Sequence, residues 1–248
     1  MDFDFSDDQE MLRDSVRKWV EKSYDFERRR GIVKAGGFSR EAWQGLADLG
    51  LLGLQVAEAQ GGMGLGAVDA MVVMEELGRG LVLEPFAATS LVAASLLARA
   101  PAGDSLLARI AGDAAIVVLA QEERHSRYRL GHVETKAAGS GDALRLTGTK
   151  IAVAGGGNAD AFIVSARSSG SVDDPGGVGL YLVEKGAAGA TLDSCATQDG
   201  ASAADLHLVD ARATLLLGPG AAMPALEHAV DIGIAALCAE AVGAMDRL

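Results

Sequence analysis

The sequence predicts an α+β chain: an all-α N-terminal helical domain, then an antiparallel β-barrel domain, then one long helix. Three observations carry this. Apolar residues recur at three- and four-residue spacing up to residue 113. Short β-branched runs separated by turn residues fill 114–219. Helical spacing returns over 220–248. The predicted units are therefore 1–113, 114–219 and 220–248.

The elements follow in chain order. Ser6 with Gln9 forms a capping box, and Leu12, Val16, Trp19 and Val20 mark one face of a helix running to about Arg30. Ser39 caps a second helix through Trp43, Leu46 and Leu49. The glycines at 61, 62, 64 and 66 break the chain before a third helix carrying Val68, Met71 and Val72 and ending before Gly78. Pro85 starts a fourth helix towards Arg99, and Asp104 caps a short fifth from Leu106 to Ile110. Ile116–Leu119 is a continuous apolar run that suits a buried strand. The run 143–147 alternates, and Gly148-Thr149 reads as a tight connection into 150–153. Further strands are expected at 162–164, 178–183, 204–209 and 214–217, with an exposed loop at 168–177. From Ala222, the stripe Met223, Leu226, Val230, Ile234, Leu237, Ala241 and Val242 is still running at Leu248. A stripe that broad wants a partner, so the chain is expected to be truncated or to depend on another chain.

Composition excludes several classes. Lys plus Arg is 22 against 34 Asp plus Glu, a net charge of −12. Nucleic-acid binding needs clustered cations, and docking on an anionic membrane face needs the same. The two cysteines, 195 and 238, show no zinc spacing and build no disulfide framework, which suits a reducing cytoplasm. The acidic start Met1-Asp2-Phe3-Asp4-Phe5 lacks the basic, then apolar pattern of a signal peptide, and no membrane span is predicted. Glycines 62, 64 and 66 lie between helices rather than in a βαβ unit, so they are read as a helix-breaking loop. Histidines 125, 132, 207 and 228 have no ligand spacing, and metal ligation is not expected. Glu75-Glu76 and Glu122-Glu123 are read as solvated helix or strand-end charges rather than catalytic dyads.

An ordered set of motifs nevertheless stands out. Phe5-Ser6-Asp7-Asp8-Gln9, Gly50-Leu51-Leu52-Gly53-Leu54, Ala57 to Gly64, Met74 to Arg79, Leu83 to Phe86, and Leu146 to Lys150 with Asn158-Ala159-Asp160 together resemble the acyl-CoA dehydrogenase family. The resemblance implies a helical domain, a β-barrel and the first helix of a C-terminal helical bundle. It implies FAD as cofactor and an acyl-CoA thioester as substrate, in lipid metabolism of the fatty-acid β-oxidation type. In that reaction a carboxylate removes the α-proton while the β-hydride passes to the flavin. The acyl group is a fatty acid or a bulky, steroid-type one, since Ala87, Ala88, Ala93 and Ala94 either leave room or pack tightly.

The resemblance also assigns flavin contacts. Gln121 takes the place of the family's threonine at the flavin edge; Ala152, Val153 and Ala154 take the places of its Trp-Ile-Thr. The stacking ring and the hydroxyl are missing there, though backbone N–H groups remain, and plain barrel packing is the competing reading of both alanines. Where some relatives place the base on the first bundle helix, this chain has Gly233. Asp231 and Glu240 are nearby carboxylates that do not match, so no catalytic residue is assigned and the chain is expected not to turn over substrate alone. Two functional expectations remain: an FAD-dependent acyl-CoA dehydrogenase chain, or a non-catalytic partner subunit of a heteromeric dehydrogenase. Either would be a homo- or hetero-oligomer joined through the C-terminal helical region.

Overall fold

Helical caps are where the sequence acts most locally. The computed structural model describes residues 4–247, so Met1, Asp2, Phe3 and Leu248 lie outside the described residues. Ser6 Oγ accepts the Gln9 N–H at 3.2 Å and Gln9 returns a bond to the Ser6 N–H, which starts α1 (Asp7–Ser23). The predicted single helix to Arg30 is split. Tyr24 leaves helical geometry, and Asp25 Oδ1 takes the Arg28 N–H at 2.7 Å to start α2 (Phe26–Lys34). A short acid that caps locally outcompetes continuation of the helix. The break buries Tyr24, whose hydroxyl accepts the Leu83 N–H.

Next come α3 (Arg40–Asp48), capped by Ser39 as predicted, and α4 (Ala67–Arg79), which contains Gly78 instead of ending before it. The segment after Pro85 is a π-helix, Ala87–Ala93, that tightens into α5 (Ala94–Leu97). In α6 (Asp104–Asp113), Asp104 is not the cap: Gly103 holds that place, and the Asp104 carboxylate accepts from Gln60.

Among the described residues eight strands form one sheet: β1 (Val117–Ala120), β2 (Lys136–Ala138), β3 (Arg145–Ala154), β4 (Ala161–Arg167), β5 (Val178–Glu184), β6 (Ala190–Ala196), β7 (Ser202–Arg212) and β8 (Thr214–Leu217). The path is β6-β7-β3-β2-β4-β5-β8, with β1 joined to β4. Most pairings are antiparallel, as expected, but β1 runs parallel to β4, Val117 opposite Ala161, and β2 meets β4 parallel at one pair. The continuous apolar run of β1 fits its buried, parallel position. The connection predicted at Gly148-Thr149 is absent: β3 is unbroken, with a register shift between Leu146 and Gly148. Gly148 is there for close packing, since a Cβ would stand 2.4 Å from Thr135 Oγ1. Strands β2 and β6 were not expected; both are short of buried apolar residues.

The chain closes with α7 (Ala222–Asp246), whose Ala and Gly face packs on α4. By length and composition α7 could cross a membrane, a property the sequence reading did not assign to it. One apolar core runs from Trp43 and Leu46 through Phe86 and Leu91 to Val117, Phe162 and Leu206. Trp43 also donates its indole N–H to Ala114 O at 2.8 Å, tying helices to sheet.

Candidate functional site

A cavity of about 690 Å³ opens where helices and sheet meet. Leu81 to Ala88 form one wall and Ala152, Ala154 and Gly155 the opposite one. The β6–β7 turn (197–201), Ser202 and Ala203 at the start of β7, Met74 and Leu77 of α4, and Glu240 of α7 complete it. Its size and largely apolar lining are those of a small-molecule site.

The wall at 152–155 is shaped by a bulge. The β3–β7 register shifts between Lys150 and Val153, and Ala152 adopts φ +51°. That left-handed conformation costs a non-glycine residue of order 1 kcal/mol or more. It is held by Asp205, whose Oδ1 accepts the Ala152 N–H at 2.8 Å, and by the Glu122 carbonyl, which accepts the Ile151 N–H. The outcome is that Ala152 and Ala154 face the cavity while Val153 is buried in the core at 3 % exposure. Gly155 sits against Pro85, where a Cβ would approach to 2.7 Å.

Beneath the bulge lies a charged pair that no motif announced. Lys150 and Glu123 are 0 % and 3 % exposed, and Lys150 Nζ donates to Glu123 Oε1 at 2.7 Å and to Ser165 and the Gln121 carbonyl. Glu123 also accepts from Thr135 Oγ1 and from the backbone N–H groups of Glu134 and Thr135. Burial pushes the Glu123 carboxyl up, but the Lys150 charge and these donors outweigh it and hold it below its usual range. Burial lowers Lys150 from its ordinary value. Thus Glu123 is not a solvated strand-end charge. Nor is Glu76, which is 2 % exposed and bound in bidentate fashion by Arg17. The pair clamps the end of β1, and with it Gln121, to β3. Gln121 does not line the cavity, yet its side-chain Oε1 is buried without a partner.

Three carboxyls and one guanidinium reach the cavity. Glu84 is 5 % exposed; its Oε1 accepts the Ser39 N–H, and burial pushes it up against the pull of Tyr24 and that donor. Asp199 accepts from Thr197 Oγ1 and the Ala201 N–H, chiefly the first of which lowers its pKa. Glu240 is raised by burial and then by the charge of Asp199. Arg29 bridges two segments by donating to Leu81 O at 2.9 Å and Asp199 O at 2.7 Å. Of the small residues noted in the sequence, Ala87 and Ala88 line the cavity, whereas Ala93 and Ala94 are core. Gly233 faces Val92 of the π-helix, and Asp231 is exposed. Among the described residues no cluster of three metal-ligating side chains occurs.

Residues 6–102 match the family model described as "Acyl-CoA dehydrogenase, N-terminal domain". Acyl-CoA dehydrogenase FadE27 of Mycobacterium tuberculosis is 31% identical over 179 residues, 71% of this chain and 45% of that protein. Among solved structures, the Tcur3481-Tcur3483 steroid ACAD G363A variant is 29% identical with a TM-score of 0.83, covering 95% of this chain and 63% of that one. The ChsE4-ChsE5 complex from Mycobacterium tuberculosis is 26% identical with a TM-score of 0.86, covering 100% and 66%. The chain spans less than half the length of the first curated relatives, 45% of FadE27 and 44% of a pig long-chain acyl-CoA dehydrogenase.

Proposed function

We propose that this chain, a relative of the acyl-CoA dehydrogenases that carries their N-terminal domain at residues 6–102, supplies one side of a cleft for FAD and an acyl-CoA thioester, in which α,β-dehydrogenation takes place. The observation that carries this is the apolar cavity at the 152–155 bulge, between helices and sheet. Its chemistry fits a flavin ring. Ala152 and Ala154 leave a small, apolar wall against which a ring can lie. The single guanidinium, Arg29, is already bonded to two carbonyls, so the pyrophosphate belongs outside this cavity.

In this reading Ala152 and Ala154 would form the wall beside the flavin, Gln121 and Val153 would support that wall from outside the cavity lining, and the flavin would supply hydride-accepting chemistry. The walls exclude water, so that hydrogen bonds to the thioester carbonyl act in a medium of low dielectric and stabilise the enolate. Ala87 and Ala88 leave room for a bulky or polycyclic acyl group beside the ring. Lipid catabolism in the cytoplasm is the setting that suits such a reaction.

The test is flavin content together with acyl-CoA-dependent dye reduction. A yellow protein that reduces dye with an acyl-CoA supports the reading; a colourless, inert one overturns it. A second reading has its own observation. The outward face of α7 exposes Ile234, Leu237, Val242 and Met245, which suits a subunit that completes a partner's site. Flavin content at half per chain in a mixed assembly would favour that reading.

A further inference from the structure

Most guanidiniums of this chain are spent on internal partners. Among the described residues Arg99, Arg124, Arg127 and Arg247 have neither a hydrogen bond nor an ion pair from the side chain. Two of them share one turn, 124–128, which also carries Tyr128 at 90 % exposure. The turn holds a costly shape. Arg127 and Tyr128 stand in succession at φ +47° and +67°, in the left-handed region that a Cβ disfavours.

That shape persists because both ends of the turn are tied down. Ser126 is 3 % exposed; its Oγ takes the Glu123 N–H at 3.3 Å, and its carbonyl accepts the Arg129 N–H at 3.0 Å. Glu123 is fixed in turn by Lys150. Arg129 and His132 both reach Asp173 of the 168–177 loop, at 3.0 and 2.7 Å. A ring and two guanidiniums are therefore offered to solvent on a rigid base. None of them lines the cavity, so this surface is separate from the site described above.

From these features we infer that the 124–128 turn docks an acidic segment of another protein. Carboxylates of that segment pair with Arg124 and Arg127, and an apolar side chain covers the Tyr128 ring. Tyrosine and arginine are the side chains that carry most of the energy in protein interfaces, and a turn that is already rigid loses little entropy on binding. The chain's own carboxylates beside the turn are occupied: Glu122 faces Ser126 Oγ, Glu134 faces His125, and Asp173 faces Arg129 and His132. The net charge of −12 is screened beyond about 8 Å at physiological ionic strength, which leaves the two cations to set the local sign. Two copies of this chain meeting turn to turn set arginine against arginine, which disfavours self-contact here.

The probe is a fluorescein-labelled peptide alternating glutamate and leucine, with a lysine–leucine peptide as its counterpart, read by fluorescence anisotropy on the whole chain. The parent is expected to bind the glutamate peptide and not the lysine one. Arg124→Glu/Arg127→Glu and Tyr128→Ala each weaken binding at least about 10-fold. Tyr128→Phe keeps it, because the ring packs through its face, and Arg99→Glu, which reverses an unpaired cation elsewhere, binds as the parent does. All five altered side chains are exposed, so each variant is expected to keep the parent's thermal midpoint, and that midpoint separates a lost contact from a lost fold. A parent that binds neither peptide, or both alike, overturns the inference. So does parent-like binding by Arg124→Glu/Arg127→Glu or by Tyr128→Ala. Two further results also overturn it. One is displacement of the glutamate peptide by ADP, which makes the turn a nucleotide site. The other is a parent dimer in light scattering that Arg124→Glu/Arg127→Glu dissociates, which makes the turn a contact between copies.

Discussion

Glu123 and Lys150 show how far one buried pair reaches. Each is an uncompensated charge without the other, so breaking the pair costs far more than the pair itself contributes. Lys150→Met is expected to destabilise the fold by about 3–5 kcal/mol in denaturant unfolding, with Lys150→Met/Glu123→Leu recovering much of it. The sign with pH follows from the lowered folded pKa of Glu123: its contribution is full above the unfolded carboxylate range and is lost as pH falls through the folded value. Acid unfolding of Glu123→Gln is therefore expected to show a flatter limb than that of the parent. If both variants unfold like the parent, the pair does not anchor the end of β1. Nothing adjacent to Glu123 in sequence marks it as buried; its partners Thr135 and Lys150 lie 12 and 27 residues away. The charged neighbours Glu122 and Arg124 are what made the segment look solvated.

At the scale of elements, the α4–α7 crossing decides the cavity's back wall. Small residues at Gly78 and Gly243 let the two backbones touch, which places Glu240 at the cavity. Gly243→Ala is expected to push α7 away from α4 and cost about 1–3 kcal/mol in thermal unfolding. An unchanged midpoint would mean that the helices slide without strain. Caps were legible because they are local: Ser6 with Gln9 and Ser39 each act within three residues. Strand connectivity was not. Gly148 carries the composition of a turn, but Thr135, in the segment leading into β2, needs the space its side chain would fill. The edge strand β6 carries almost no buried apolar residues, so no hydrophobic pattern betrays it; its partner β7 defines it through pairing at Ala190 to Ala196.

For the whole molecule, the exposed face of α7 bears on assembly. With Ile234, Leu237, Val242 and Met245 outward, the protein is expected to self-associate or to pair with a related chain. Ile234→Glu/Leu237→Glu is expected to give a monomer in light scattering; an assembly of parent size in that variant would place the contact elsewhere. The sequence by itself determined the helix–sheet–helix order, the helix caps, the acidic balance that disfavours phosphate-rich partners, and the motif order shared with acyl-CoA dehydrogenases. Those properties live in composition and in spacings of a few residues, where backbone geometry and local hydrogen bonds rule. Only the tertiary structure decided that Ala152 and Ala154 face a cavity while Val153 does not, that Glu123 is buried, and that Glu240 stands free at the wall. Each of these depends on segments tens to hundreds of residues apart meeting in space, and desolvation exists only once they have met.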